Sequence, residues 1–315
     1  MPATHHLPAS AATCHWGFLD AKLPPVLRMK SGDRLDVDTV SGMPHQMPKA
    51  GFTAPPEIAE IHAKCERGPG PHILNGPVHV EGAEPGDVLE VRILDVKLRQ
   101  DWGYNVILPL SGSLPEDFPE SHLKHIRLDP KAMVGEMPWG AKVPLRPFFG
   151  IMSTAPRPEY GRITSVVPRE FGGNIDNKEL VAGTTLYLPV FVPGAGFSVG
   201  DGHAVQGDGE VCLTAIETGL SGSFELIVRK DLRFDFPRAE TPTHWITMGM
   251  DADLDDAAKQ ALRGMIALIV EKEGIPAHDA YTLCSLACDL RVTQLVDGNK
   301  GIHAMLAKSL LIRGK

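Results

Sequence analysis

The stretch Gly196-Phe-Ser-Val-Gly-Asp-Gly-His-Ala-Val-Gln-Gly-Asp-Gly-Glu210 decides how this chain is read. It gathers Asp201, His203, Asp208 and Glu210 in one short segment and spaces them with Gly200, Gly202, Gly207 and Gly209. Glycine takes positive φ without strain, so such a segment folds tightly. Carboxylates and an imidazole are the groups that a divalent cation or a proton transfer requires. The apolar flanks Leu186 to Val192 and Val211 to Ile216 read as strands. The polar cluster is therefore expected on a loop held between strands. The competing reading is a Gly/Asp-rich hairpin turn carrying a solvated histidine.

Working outward, the chain is strand-rich. Its 27 prolines and 32 glycines cut 315 residues into short segments. Ser31-Gly-Asp-Arg-Leu-Asp-Val-Asp38 and Pro85-Gly-Asp-Val-Leu-Glu-Val-Arg92 share a Gly-Asp turn that leads into an alternating strand. Ala182-Gly-Thr-Thr-Leu-Tyr-Leu-Pro189 repeats the shape, without a fixed period. Alternation with one apolar face means a strand buried on one side, as in a sandwich or barrel. Further strands are expected at Leu89–Leu98, Tyr187–Val192, Val211–Glu217 and Phe224–Arg229. Residues 43 to 75 and 101 to 160 show poor periodicity and read as long loops, which are usually functional or interfacial.

The end of the chain turns helical. Leu254, Ala258, Ala261, Leu262, Met265 and Ile269 recur at helical spacing, with Asp253 as N-cap, Gly274 as the stop and Pro276 beyond it. A second helix from Asp279 to Asp289, a strand from Arg291 to Val296, an Asp297-Gly298 turn and a strand from His303 to Leu311 follow. The expected fold is mainly β (α+β): a β-sandwich core over residues 1–240 and a smaller C-terminal α/β portion over 241–315, packed together as one unit.

Composition narrows the function. A net charge of −8 and a pI near 5.9 argue against a nucleic-acid partner, since little here would neutralise a run of phosphates. No apolar run is long enough to span a bilayer, so no membrane partner is expected. The opening Met-Pro-Ala-Thr-His-His lacks a charged-then-apolar export signal. Cys14, Cys65, Cys212, Cys284 and Cys288 are odd in number and scattered, which suits reduced thiols in a cytoplasm. Cys284 and Cys288 stand one helical turn apart and read as structural thiols rather than a metal pair.

The residues also match a family. The chain resembles the acetamidase/formamidase family through His15-Trp-Gly-Phe-Leu-Asp20 with Pro24-Pro25, through Gly76-Pro-Val-His-Val-Glu-Gly-Ala-Glu-Pro-Gly-Asp87, and through Phe171-Gly-Gly-Asn-Ile-Asp176. Gly200 to Glu210 is the most specific carrier, and Ala280 to Gln294 looks like the family's C-terminal helix and strand. The resemblance implies a mainly β fold, a divalent metal (zinc first, calcium second), hydrolysis of short carboxamides to acid and ammonia, and a homo-oligomer. It gives Asp20 and His15 a helping role. Asn75 departs from the expected Thr or Ser before Gly76-Pro77.

The chemistry can be argued beside the resemblance. An amide carbonyl is a poor electrophile and ammonia a poor leaving group, so a catalyst polarises the oxygen, activates water and protonates the nitrogen. Asp201 and His203 are the expected metal ligands, because residues two apart in an extended segment face the same way. Asp176 is the third, freed by Gly172-Gly173 and oriented by Asn174. This nitrogen and oxygen set suits zinc or a harder cation. Glu210 is the expected general base, with Glu81 as second candidate. Asn174, Gln206 and His244 are expected to contact the substrate, a short linear amide or a lactam. Asp208 reads as a turn residue. No Cys-Glu-Lys set and no Gly-x-Ser-x-Gly elbow supports a nucleophilic amidase. The alternative function is a non-catalytic β-sandwich that holds a structural metal and binds a small ligand.

Overall fold

The structure is a computed structural model that describes residues 2–49 and 51–312. Two large sheets dominate, one of nine strands and one of eleven. The first is mostly antiparallel and contains the three Gly-Asp echo strands at Arg34–Asp38, Val88–Leu98 and Thr185–Pro189. The turn chemistry behind the echo is the same twice. Asp33 accepts the Lys30 N–H at 3.1 Å, and Asp87 accepts the Glu84 N–H at 3.0 Å.

The second sheet is built around Phe197–His203, which lies between Phe148–Ser153 on one side and Ile73–Glu81 and Glu217–Thr218 on the other. Inward side chains of both sheets share one hydrophobic cluster. Leu35, Leu89, Leu186 and Phe224 come from the first, and Val78, Phe149, Phe197 and Val199 from the second. This is the sandwich core that the alternating strands call for.

The C-terminal residues extend the first sheet rather than forming a separate layer. Arg238–Glu240 pairs with His244–Asp251, which pairs with Lys300–Ala307, and the sheet runs unbroken past residue 240. The α-helices among the described residues are α1 over Pro56–Lys64, α2 over Leu254–Glu273 and α3 over Ala277–Ala287. The Asp253 carboxylate caps α2 by accepting the N–H groups of Asp255 and Asp256, and Gly274 ends it at φ 65°. Its buried stripe (Ala257, Ala261, Met265, Leu268, Ile269) covers Ile302, Ala304 and Leu306 of the sheet.

Several expectations are corrected. Asp201 and His203 lie on a strand, not a loop. A Cβ on Gly200 would sit 2.5 Å from the Ile73 carbonyl oxygen, and one on Gly202 would sit 2.5 Å from that of Thr218. These glycines serve close packing of neighbouring strands instead of a turn. Of the expected strand Val211–Glu217, only Glu217 is in a strand, because Leu213 takes φ 107°.

Residues 43–75 hold α1, and residues 101–160 hold strands at Trp102–Ile107, His122–Asp129, Val134–Glu136, Lys142–Pro144 and Phe148–Ser153. Those strands are short and their polarity is mixed, so no period was visible in the sequence. Their aromatic residues Trp102, Tyr104, Phe148 and Phe149 are buried within the chain's own core. Trp139 remains exposed.

Candidate metal centre

The site forms where four segments converge on Phe197–His203. Asp201 and His203 project from that strand to one side. Glu217 stands directly opposite His203 in the antiparallel register, which brings the two side chains together. Asn174 ends the strand Gly172–Asn174, and Asp176 follows it, held by its own N–H to the Gly150 carbonyl oxygen at 3.2 Å. Glu210 comes from the segment after the strand, and Asp297 from the turn before Lys300–Ala307. Asp176, Asp201 and Glu210 all take positive φ, at 49°, 57° and 46°. Non-glycine backbone held in this region is strained, and such strain gathers at functional sites.

Distances are short throughout. His203 Nε2 lies 3.3 Å from Asp201 Oδ2, 3.3 Å from Glu217 Oε1, 3.8 Å from Asp176 Oδ1 and 4.0 Å from Glu210 Oε1. Two groups of three side chains have ligand-spaced atoms: Asp176, His203 and Glu210, and Asp201, His203 and Glu217. The His203 ring is fixed from behind. Its Nδ1 is 2.9 Å from Gln206 Oε1, and the Gln206 amide is itself oriented, because its Nε2 donates to the carbonyl oxygens of Asp176 (2.7 Å) and Thr293 (3.3 Å). The amide oxygen can only accept, so His203 carries a proton on Nδ1 and faces the carboxylates with Nε2. Gln206 therefore orients the histidine, from a position behind it, where the sequence suggested a substrate contact.

The electrostatics follow from crowding acids in a buried place. Burial lifts the Glu210 carboxyl well above its ordinary range, and Asp176 adds to it. Burial also lifts Asp297 strongly and Asp176, and raises Glu217 to about 8, against the pull of His203. Burial alone would lower His203, but Glu217 and Asp201 outweigh it and hold the imidazole well above its usual value. Asp201 resists burial and stays below the carboxylate range because His72 and His203 face it.

Whether these residues fit a divalent cation can be tested on the structure. Asp176 Oδ1, Glu210 Oε2 and Asp297 Oδ2 are buried with no hydrogen-bond partner. No lysine or arginine is among the described residues that line the cavity. The floor under the ligand atoms is Gly150, where a Cβ would stand 2.6 Å from Asp201 Oδ2, 2.9 Å from His203 Cε1 and closer still to Asp176 Oδ1. Unpartnered acid oxygens around an imidazole, above a cradle left open by a missing side chain, fit a divalent cation.

Five of the expected site residues meet around this centre together with Gln206: Asp176, Asp201, His203, Glu210 and Asn174. Glu81 and His244 do not. Glu81 is exposed at the end of its strand, opposite Lys30. His244 opens a strand, with its Nδ1 2.8 Å from Thr243 Oγ1, away from the cavity. Asp208 is exposed and pairs with Lys178 at 3.0 Å. His15 is buried 3.1 Å from Ser198 Oγ, and Asp20 accepts the Lys22 N–H at 2.9 Å.

Glu217, Asp297 and His72 were missed. Glu217 reads as a strand residue and Asp297 as half of a turn. His72 sits in a proline- and glycine-rich run, yet its Nδ1 meets Ser165 Oγ at 2.9 Å and its Nε2 lies 3.9 Å from Asp201 Oδ2.

The model of the Acetamidase/Formamidase family matches residues 19–164 and 159–307. A formamidase of Methylophilus methylotrophus is 29% identical over 243 residues, covering 60% of this chain and 57% of the relative. The chain thus spans little more than half the length of that relative. An acetamidase structure from Bacillus halodurans superposes with a TM-score of 0.84 at 30% identity, over 97% of this chain and 98% of that one. An acetamidase structure from Yersinia enterocolitica gives 0.86 at 29% identity, over 99% and 94%. With the family model spanning nearly the whole described fold, sandwich and acid-rich centre alike, the chain belongs to the acetamidase/formamidase family.

Proposed function

We propose that this protein is a metal-dependent amidohydrolase that cleaves a short carboxamide to a carboxylate and ammonia. The observation that carries the reading is the buried cluster of unpartnered acid oxygens around His203 Nε2, at the floor of a cavity of about 120 Å³. That volume suits a small molecule, since drug-sized ligands fill roughly 300–1,000 Å³. His203, Asp201 and Asp176 would hold the cation. One imidazole among carboxylates favours zinc over calcium, which prefers oxygen alone. When bound, a divalent cation polarises an amide oxygen and lowers the pKa of water.

The remaining work falls to the chain itself. Glu210 is buried, lies farther from His203 Nε2 than Asp176, Asp201 and Glu217 do, and has a free Oε2. It accepts a proton from the attacking water and passes it to the departing nitrogen. The C–O bond forms as water gives up its proton, the C–N bond then breaks as the nitrogen receives it, and one water is consumed for each ammonia released. Glu217 is engaged differently, because its Oε1 accepts the Ala215 N–H at 3.0 Å while facing His203. Asn174, whose Oδ1 is buried and unpartnered beside the cluster, would accept from the amide N–H₂.

Glu210→Gln tests the proton role. Turnover should fall by roughly two to four orders of magnitude with metal content unchanged. Near-normal turnover would pass the role to Glu217.

The free cysteines support a reducing, cytoplasmic setting. No helix among the described residues is long and apolar enough to cross a membrane. Exposed Trp139 and Leu286 support a homo-oligomer, as apolar side chains that a second copy could cover.

A further inference from the structure

The site cavity has an apolar wall beside its acids. Val40, Ile73, Val106, Leu108, Val166 and Leu213 contribute to it. Val40 and Ile73 also pack into the cluster around Trp16 and α1. Val106, Leu108, Val166 and Leu213 belong to none of the hydrophobic clusters formed by the described residues. Leu108, Val166 and Leu213 are only half-buried and present apolar surface to the cavity.

Leu213 is also the most strained of these residues. Its φ of 107° is a costly conformation for a bulky side chain. Strain of that kind persists only where the surroundings over-determine the backbone, and here they do. The Leu213 N–H donates to the Glu210 carbonyl oxygen at 3.0 Å, and the Val211 carbonyl oxygen accepts the Ser113 N–H at 2.8 Å. On the other side, Thr214 Oγ1 accepts the Val106 N–H at 2.9 Å. Asn105 Nδ2 lies 3.0 Å from the Thr214 carbonyl oxygen and 3.2 Å from that of Ala215. Thr214 is pinned to the strand Trp102–Ile107, and Cys212 Sγ lies 3.2 Å from Asn105 Nδ2 of the same strand, so the place of Leu213 at the cavity is fixed.

We infer that this apolar cuff receives the acyl group of the amide, and that Leu213 sets how long that group can be. The inference rests on the hydrolase reading above. The amide nitrogen of a primary carboxamide is small and polar and belongs at the acidic floor. What remains for the apolar wall is the alkyl substituent on the carbonyl carbon. Formamide has none and leaves the cuff unfilled. The substrate is therefore a primary carboxamide with a short apolar acyl chain, and formamide is a poor one.

The test is ammonia release by the zinc-loaded protein from formamide, acetamide, propionamide and butyramide. Each methylene that enters the cuff should raise kcat/KM about fourfold, from about 0.8 kcal/mol per buried CH₂. The rise should stop at the length that meets Leu213. Leu213→Ala should move the best substrate at least one carbon longer. Leu213→Gly removes the same side chain and accepts φ 107° without strain, so it provides the readout should the alanine variant fold poorly. A non-catalytic readout is the shift in Tm with added carboxylate, where butyrate should protect the variants more than it protects the parent. Formamide as the best substrate, or an unchanged chain-length profile in both variants, would overturn the cuff and leave the hydrolase standing. Release of no ammonia from any of the four would overturn both.

Discussion

Gly150→Ala adds one methyl group to the floor of the site and nothing elsewhere. Gly150 is not among the residues with positive φ, so alanine fits its backbone. The new Cβ would lie 2.6 Å from Asp201 Oδ2 and 2.9 Å from His203 Cε1, with Asp176 Oδ1 nearer still. Ordinary contact between such atoms is about 3.5 Å, so each must retreat by roughly 0.5–1 Å. A binding constellation tolerates about 0.5 Å, and a 1 Å displacement can cost on the order of a hundredfold in rate. Overpacking of this kind costs about 1–3 kcal/mol of stability, a shift of a few degrees in Tm for a chain of this size.

The variant should therefore fold, lose most of its bound metal and lose at least about a hundredfold in kcat/KM. Three measurements are needed: elemental analysis, ammonia release and a thermal melt. Gly135→Ala serves as control, because its Cβ would meet nothing nearer than 3.4 Å. Full metal content and turnover in Gly150→Ala would show that the cation is not held over this glycine, and the ligand assignment would fail.

Other outcomes follow from the same geometry. His203→Ala should lose its metal while the sandwich still melts cooperatively, because the core shared by the two sheets does not depend on that ring; full metal content by elemental analysis would contradict this. His15 supplies a pH dependence of stability away from the site. Burial lowers its pKa to about 4, against the opposing hydrogen bond to the Phe18 carbonyl oxygen. Between the unfolded value near 6.5 and about 4, only the unfolded chain binds this proton, so stability falls as pH drops through that window. The loss should be on the order of 2–4 kcal/mol, and His15→Gln should flatten that part of the profile in denaturant melts at pH 7, 5.5 and 4. A slope unchanged by the substitution would refute the buried neutral imidazole.

How much of this was legible in the sequence depends on how local each signal is. The helix α2 was read nearly to its ends, since Asp253, Gly274 and the apolar stripe act within the helix itself. The echo strands were found because Gly-Asp turns and alternation are local too. Asp176, Asp201, His203 and Glu210 were legible as residue types, but their setting was misjudged. Gly200 and Gly202 read as turn formers, whereas they let Ile73 and Thr218 approach the strand.

Glu217 could not be found, because its role comes from standing opposite His203 in register, a fact of pairing and not of spacing. Asp297 reaches the site from far along the chain, and the Asp-Gly pair that holds it has the signature of any turn. Glu81 failed for the converse reason: an apolar motif around a carboxylate placed it on a strand, and the strand carried it to an exposed end. His244 lies likewise at a strand end beside Thr243.

The central claim is that the acid cluster around His203 binds a divalent cation and uses it to release ammonia from a short amide. It is tested most directly by stripping the purified protein with a chelator, then adding back zinc while following ammonia from acetamide and propionamide. The account predicts no release from the stripped protein, recovery at one zinc per chain, and no recovery in His203→Ala. Ammonia release that survives chelation, or zinc that restores only the melting temperature, would contradict it.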